Sequence, residues 1–138
     1  NTAKPLNYYT MGSQLDRLGY FGKAYHNNSY TYYDRNRTHN NLGYSEGFMG
    51  MGNGMEQYVS RAWPQSDLEM FKGTLTEYID KQPFNIYYMT VSGHCRYNQL
   101  GNAQSKRTGI WCSTFPTPTV SRLISPATWN WKRVWLLW

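Results

Sequence analysis

The chain has 138 residues, a formal net charge of +6 and an aromatic content of 17%, but only 16% of its residues are charged. This length fits one domain at most, and the composition excludes collagen-like, coiled-coil and acidic disordered proteins. The sequence contains no apolar run long enough to span a membrane and no recognisable signal peptide, so we expect neither feature in this segment.

The first predicted elements are a short helix and a strand. Three apolar residues recur at helical spacing, namely Met11, Leu15 and Leu18. Ser13 is a candidate N-cap, and Gly19 is expected to end this helix. Residues 20–25 then have the composition of a strand. A helix followed closely by a strand is typical of an α/β fold.

A long loop is predicted to follow, over residues 26–37, which are polar and aromatic without a regular period. Loops after strands often carry ligand-binding groups in α/β proteins. Arg35 in this loop can form a bidentate pair with a phosphate, with Tyr32 or Tyr33 beside it as an aromatic wall. The alternative is a solvated loop whose charges pair locally. The glycine-rich residues 45–55 are expected to form neither a stable helix nor a central strand.

A second helix is predicted over residues 66–81. Ser66 and Glu69 form a capping box at its start, and Pro83 bars its continuation. Its apolar face consists of Leu68, Phe71, Leu75, Tyr78 and Ile79. Trp63, just before this helix, is interpreted as a core residue.

Residues 84–92 predict a buried strand, because apolar side chains would lie on both of its faces. His94 follows at the carboxyl end of this strand, where open α/β sheets bind ligands. There it can contact an anionic oxygen or act as an acid or base. The alternative is a histidine that only binds a loop carbonyl.

Three segments of the chain resemble one protein family: YFGKAYHNNSYTYYDRNRTHNNLGY (20–44), AWPQSDLEMFKGTLTEYID (62–80) and PFNIYYMTVSGH (83–94). In sequence and order they are similar to the extracellular catalytic domain of lipoteichoic acid synthase-type phosphoglycerol transferases, in the sulfatase branch of the alkaline phosphatase superfamily. The resemblance implies an α/β sandwich with a mostly parallel central sheet. It also places the intact enzyme at the outer face of a bacterial cell membrane.

The resemblance implies the chemistry of the intact enzyme. Such enzymes use manganese or magnesium and a threonine nucleophile to move glycerol phosphate from phosphatidylglycerol to a glycerol phosphate polymer or glycan acceptor. Residue by residue, Tyr33 and Arg35 match the aromatic residue and the arginine that hold glycerol phosphate, and His94 matches a histidine that contacts substrate. Asn28 stands where some relatives have an acidic residue and is not assigned.

The same resemblance implies that essential parts lie outside this chain. The threonine and one acidic metal ligand precede the position of Asn1, and an Asp-His metal pair follows that of residue 107. The spacing of His26 and His39 matches no common metal motif. Because a metal site needs all its ligands, we expect this polypeptide to contain no catalytic residue, to bind no metal and to be inactive alone.

The composition changes near residue 107. Residues 1–107 and residues 108–138 each carry a net charge of +3, but all 13 Tyr lie in the first part and five of the 6 Trp in the second. Because the charge is spread, we predict no nucleic-acid partner. A shifted reading of the codons from Cys112 to Val134 permits the turn and the Glu-rich helix that the family has at this place. We interpret 1–107 as a partial catalytic domain and 108–138 as a frameshift product, the alternative being a natural Trp-rich segment that binds membrane surfaces.

Two other functions stay open from the sequence. The first is another member of the superfamily, a sulfatase or a phosphoethanolamine transferase, which the identity of the upstream nucleophile would separate. The second is a non-enzymatic, aromatic-rich module that binds carbohydrate or a membrane surface. That module would be mostly β, without a helix over residues 66–81.

Overall fold

The computed structural model describes residues 7–94, 98 and 100–107, which fall into two compact units. Of these described residues, the first unit contains residues 7–59 and Glu69–Met89, and the second contains Ser60–Leu68 and the described residues from Thr90 onward. The predictions for residues 108–138, including the frameshift, lie outside the described residues.

A three-stranded parallel sheet forms the centre of the first unit. Its strands are β1 (Phe21–Ser29), β2 (Phe48–Met51) and β3 (Phe84–Met89), in the order β2-β1-β3. The predicted α/β class is therefore confirmed, while the wider sandwich stays a prediction. The glycine-rich segment supplies β2, which lies beside β1 rather than between two strands of the described sheet.

Short helices connect the strands. The α-helices are α1 (Met11–Arg17), α2 (Arg35–Thr38) and α3 (Asp67–Thr74), and residues 103–107 are also helical. Single 3₁₀ turns occur at Tyr32–Asp34, His39–Asn41, Met55–Gln57 and Leu75–Glu77.

The start and the packing of α1 differ from the prediction. Thr10, rather than Ser13, caps the helix, since the Thr10 side chain accepts a 3.2 Å hydrogen bond from the Ser13 amide. The apolar stripe does not face the core, because Met11 is 65% exposed and Leu18 is 71% exposed. Instead the buried Gly12 lies against the backbone of the loop around residue 42, where a side chain would collide.

Hydrophobic clusters cover both faces of the sheet. On one face the buried cluster consists of Tyr25, Met55, Val59, Met70 and Tyr78. On the other it consists of Ala24, Tyr44 and Phe48. Neighbouring residues Ala24 and Tyr25 belong to different clusters because successive side chains of a strand point to opposite faces.

A partly buried carboxylate links β1 to the segment after α3. Glu77 accepts hydrogen bonds from the Tyr25 hydroxyl at 2.9 Å and the Tyr58 hydroxyl at 2.7 Å, and it forms an ion pair with Lys23. Burial by itself would raise the pKa of the Glu77 carboxyl, but the hydrogen bonds from Lys23, Tyr58 and Tyr25 outweigh it and lower this pKa. Burial and the Glu77 hydrogen bond raise the pKa of Tyr25, so its hydroxyl stays protonated.

Three predicted boundaries were wrong. Strand β1 continues through residues 26–29, where the sequence predicts a loop, and His26 and Asn27 are buried within it. Helix α3 ends at Thr74, whose hydroxyl donates to the Met70 carbonyl at 2.8 Å, a contact that competes with regular helix. Strand β3 ends at Met89 instead of residue 92 and is not fully buried, since Tyr87 is 41% exposed.

The amides that follow β3 are bound by a side chain, so regular strand pairing does not continue past Met89. The Asp67 carboxylate accepts hydrogen bonds from the amides of Val91, at 3.0 Å, and Ser92, at 3.1 Å. These amides are therefore satisfied by a side chain rather than by a neighbouring strand. The prediction of a core role for Trp63 was also wrong, because this residue is 41% exposed and lies edge-on to His94 with ring centroids 6.2 Å apart.

Candidate anion-binding site

The candidate site lies where β1 ends. Because all three strands are parallel, their carboxyl ends share one edge of the sheet, the edge at which α/β proteins bind ligands. The chain leaves β1 after Ser29 and forms a segment, residues 30–41, in which α2 lies between two 3₁₀ turns. We call residues 30–41 the β1 loop.

Arg35 is the centre of this loop. Its guanidinium carbon lies 5.5 Å from the ring centroid of Tyr32 and 5.4 Å from that of Tyr33. One guanidinium nitrogen donates a 2.9 Å hydrogen bond to the imidazole Nε2 of His26. A guanidinium carries five N–H donors in a planar fork that suits the oxygens of a phosphate or sulfate. Stacking and hydrogen bonding thus fix the orientation of a cation that is only partly exposed.

The imidazole of His26 is a neutral link between Arg35 and β3. This ring is 2% exposed, and its Nδ1 lies 2.9 Å from the Met89 carbonyl oxygen. A carbonyl only accepts and a guanidinium only donates. Nδ1 must therefore carry the proton while Nε2 accepts from Arg35, which assigns the neutral Nδ1–H tautomer from the hydrogen-bond network.

The backbone of the β1 loop is strained beside this arginine. Tyr33 has φ 56° and ψ 32°, and Asp34 has φ 53° and ψ 29°. Two successive residues other than glycine in the left-handed region are uncommon, and such strain concentrates at functional sites. The consequence here is that the Tyr33 ring, which is 75% exposed, stays over the guanidinium of Arg35.

A glycine allows β2 to support the loop from the side. A Cβ atom at Gly50 would lie 2.8 Å from the Cα of Tyr30, which is closer than real Cβ contacts. The Tyr30 ring stacks on Phe48 with centroids 5.2 Å apart. The glycine-rich composition of this segment thus serves close packing against the start of the loop.

His39 lies at the other end of the β1 loop, within a group of aromatic rings. Its ring centroid is 5.2 Å from that of Phe48 and 6.0 Å from that of Tyr87, to which it is nearly parallel. Burial, and to a lesser degree the positive charge of Arg35, lowers the pKa of His39.

Of the predicted site residues, the structure brings Tyr33 and Arg35 together. His94 belongs to the second unit, beyond the end of β3, and is exposed. Its amide donates a 2.9 Å hydrogen bond to the Val91 carbonyl within a turn. Because β3 ends at Met89, His94 follows the strand at a greater distance along the chain than predicted, and its role in substrate binding stays a prediction.

His26 is the site residue that sequence reasoning missed. The sequence predicts a polar loop at this residue, whereas it lies in β1 opposite Met89 of β3. A polar residue directly after the apolar part of a strand is a recognisable signal for a functional side chain near the carboxyl end of that strand. The sequence does not show, however, that two distant partners would satisfy the ring.

The manganese or magnesium implied by the resemblance does not fit the described residues. Among residues 7–94, 98 and 100–107, no three His, Cys, Asp or Glu side chains are placed to hold a metal ion. Two of the carboxylates that such ions prefer are engaged within the protein, Glu77 by Lys23, Tyr25 and Tyr58, and Asp67 by the amides after β3. We therefore derive no chemical step through a metal.

Comparison of the chain with models of known protein families, with curated proteins and with solved structures found no match. Within the described part of the chain, none of the helices has the length and apolar character needed to cross a membrane.

Proposed function

We propose that this chain binds the anionic head group of a phosphate ester through Arg35, as part of a phosphoglycerol transferase of the lipoteichoic acid synthase type. The observation that carries the proposal is the geometry of Arg35. It lies at the carboxyl end of β1, is oriented by the buried His26 and is stacked by Tyr32 and Tyr33.

This arrangement suits a substrate in which a phosphate bears a small polar group. The guanidinium binds two phosphate oxygens through charge-assisted hydrogen bonds. The exposed ring of Tyr33 beside it provides a wall for the carbon atoms of a glycerol unit. In this proposal the donor is a phosphatidylglycerol head group, the acceptor is a glycerol phosphate polymer or glycan, and the reaction takes place at the outer face of a bacterial membrane.

The α/β class favours this proposal over a carbohydrate- or membrane-surface-binding module. That alternative calls for a mostly β structure without a helix over residues 66–81, whereas α3 occupies Asp67–Thr74 and the sheet is parallel. A sulfatase or phosphoethanolamine transferase shares the anion chemistry, so the choice among these enzymes depends on the substrates that bind.

The test is titration of the full chain with glycerol phosphate by isothermal calorimetry, with glycerol as the uncharged control ligand. We expect saturable binding that weakens by about tenfold or more in Arg35→Gln, since a charge-assisted pair contributes about 1.5–3 kcal/mol. Arg37→Gln is the matched control, because Arg37 lies on the same helix and is exposed.

Equal loss of affinity in both arginine variants would contradict the proposal, because it would indicate general attraction to positive charge. Absence of binding in the unmodified chain would contradict it as well. Binding of an aryl sulfate in strong preference to glycerol phosphate would assign the site to a sulfatase instead.

A further inference from the structure

His39 and Arg35 share the last turns of the β1 loop. Arg35 begins α2, and His39 follows it by one helical turn, with the His39 amide bonded to the Arg35 carbonyl. Residues spaced by four on a helix are neighbours on its surface. The imidazole is held in place by the Thr38 hydroxyl, 3.1 Å from Nδ1, by stacking on Tyr87 and by a tilted ring contact with Phe48.

Among the residues that the structure describes, one charge is seen to act on the His39 imidazole. From α2 this charge is Arg35, whose positive charge opposes protonation of the imidazole. From β2 the facing group is Phe48, and from β3 it is Tyr87, with Tyr44 stacked behind it at 5.9 Å. Phenols stay uncharged in the range where histidine titrates.

We propose that binding of an anion at Arg35 is coupled to protonation of His39, so that the β1 loop binds its anion more tightly in mildly acidic solution. An anion on the guanidinium cancels the charge that opposes the imidazolium, and it attracts the imidazolium directly. By linkage, a ligand that favours the protonated form of His39 binds that form more tightly. This inference rests on the proposed anion site and adds its regulation by pH.

Protonation of His26 would have the opposite effect on anion binding. The sign of the pH dependence therefore shows which of the two histidines is coupled to the anion. Its Nε2 accepts from Arg35, so a proton on this nitrogen would break the hydrogen bond that orients the guanidinium. Protonation of His26 would therefore weaken anion binding, whereas protonation of His39 strengthens it.

The experiment uses sulfate as the probe, because sulfate does not change its own charge in this range, unlike a phosphate monoester. Calorimetric titration of the full chain near pH 6.5 in two buffers of different ionisation enthalpy counts the protons taken up on binding. We expect uptake of a fraction of one proton and an affinity that rises about five- to tenfold between about pH 7.5 and 5.5.

His39→Phe keeps the aromatic stack and removes the titrating group. We expect this variant to bind sulfate without proton uptake, while Arg37→Gln retains the uptake of the unmodified chain. Uptake that persists in His39→Phe, or proton release in the unmodified chain, would overturn the inference and leave the anion site intact. If the unmodified chain binds no sulfate at any pH, the anion site and this inference both fall.

A second measurement needs no ligand. The pH titration of the His39 ring proton, followed by nuclear magnetic resonance, should shift to higher pH in Arg35→Gln. The same midpoint in both proteins would overturn the inference, because Arg35 would then exert no charge effect on His39.

Discussion

Two regions of the first unit combine charged residues with tyrosines, but the two charges have different surroundings. Around Glu77, a partly buried carboxylate pairs with Lys23 and accepts hydrogen bonds from Tyr25 and Tyr58, so its charge is balanced within the protein. Around Arg35, two tyrosine rings stack on a cation, and the backbone that carries one of them is strained. Both charged groups are partly buried, so what distinguishes the Arg35 region is its strained backbone, at Tyr33 and Asp34.

The largest effect is expected at the Glu77 network. Glu77→Gln removes the negative charge that balances Lys23 and weakens the bonds from both tyrosines, so we expect a loss of about 2 kcal/mol in the free energy of unfolding. Chemical denaturation measures this loss. Glu46→Gln, at an exposed carboxylate, is the control and should change stability by less than about 0.5 kcal/mol. Equal stability of the two variants would show that the network is not stabilising.

The strain in the β1 loop predicts the next largest effect. Asp34→Asn and Asp34→Val both remove one negative charge, but asparagine tolerates the left-handed region and a β-branched residue does not. We expect the valine variant to be less stable than the asparagine variant by about 1–2 kcal/mol in chemical denaturation. Comparable stability would mean that residue 34 has no left-handed conformation in solution.

The sequence was sufficient to predict the class of the fold, but not the residues at which its helices and strands end. Apolar periodicity located a helix near Asp67 and strands near Phe21 and Phe84, because local composition decides those elements. The ends of these elements depend on hydrogen bonds to residues that are distant in sequence. Asp67 binds the amides after β3, and His26 joins Met89 to Arg35.

The candidate site was predictable only in part. Family resemblance and residue chemistry selected Tyr33 and Arg35, which lie together in the structure. The role of His26 could not be predicted, since it follows from two long-range hydrogen bonds. The outward face of α1 could not be predicted either, because the close approach of Gly12 to another loop decides which side of the helix is buried.

A smaller effect is expected from the aromatic wall. Tyr33→Ala removes one of the two rings on the Arg35 guanidinium, a cation–π contact worth about 0.5–1 kcal/mol at an exposed position. We expect glycerol phosphate to bind about two- to fivefold more weakly, by the same calorimetric titration. Tyr33→Phe keeps the ring and should bind as the unmodified chain does. An unchanged affinity in the alanine variant would remove Tyr33 from the site.

The smallest expected effect is the pH dependence of stability. Burial of the Glu77 carboxyl offsets part of the lowering of its pKa by the hydrogen bonds. The pKa of this group is lower in the folded protein than in the unfolded chain. Its stabilisation is therefore present above the unfolded value of about 4.3 and is lost as the pH falls through the lower folded value. Denaturation curves in this acidic range should show a weaker pH dependence in Glu77→Gln. An identical pH dependence in the two proteins would contradict the assigned shift.

The central claim is that Arg35 is the anion-binding cation of the chain. Nuclear magnetic resonance of the arginine side-chain N–H groups tests it directly during titration of the full chain with glycerol phosphate. We predict that the Arg35 signal shifts with saturation while the Arg37 signal, two residues further along the same helix, does not. Equal shifts of both signals, or a stationary Arg35 signal at saturating ligand, would contradict the claim.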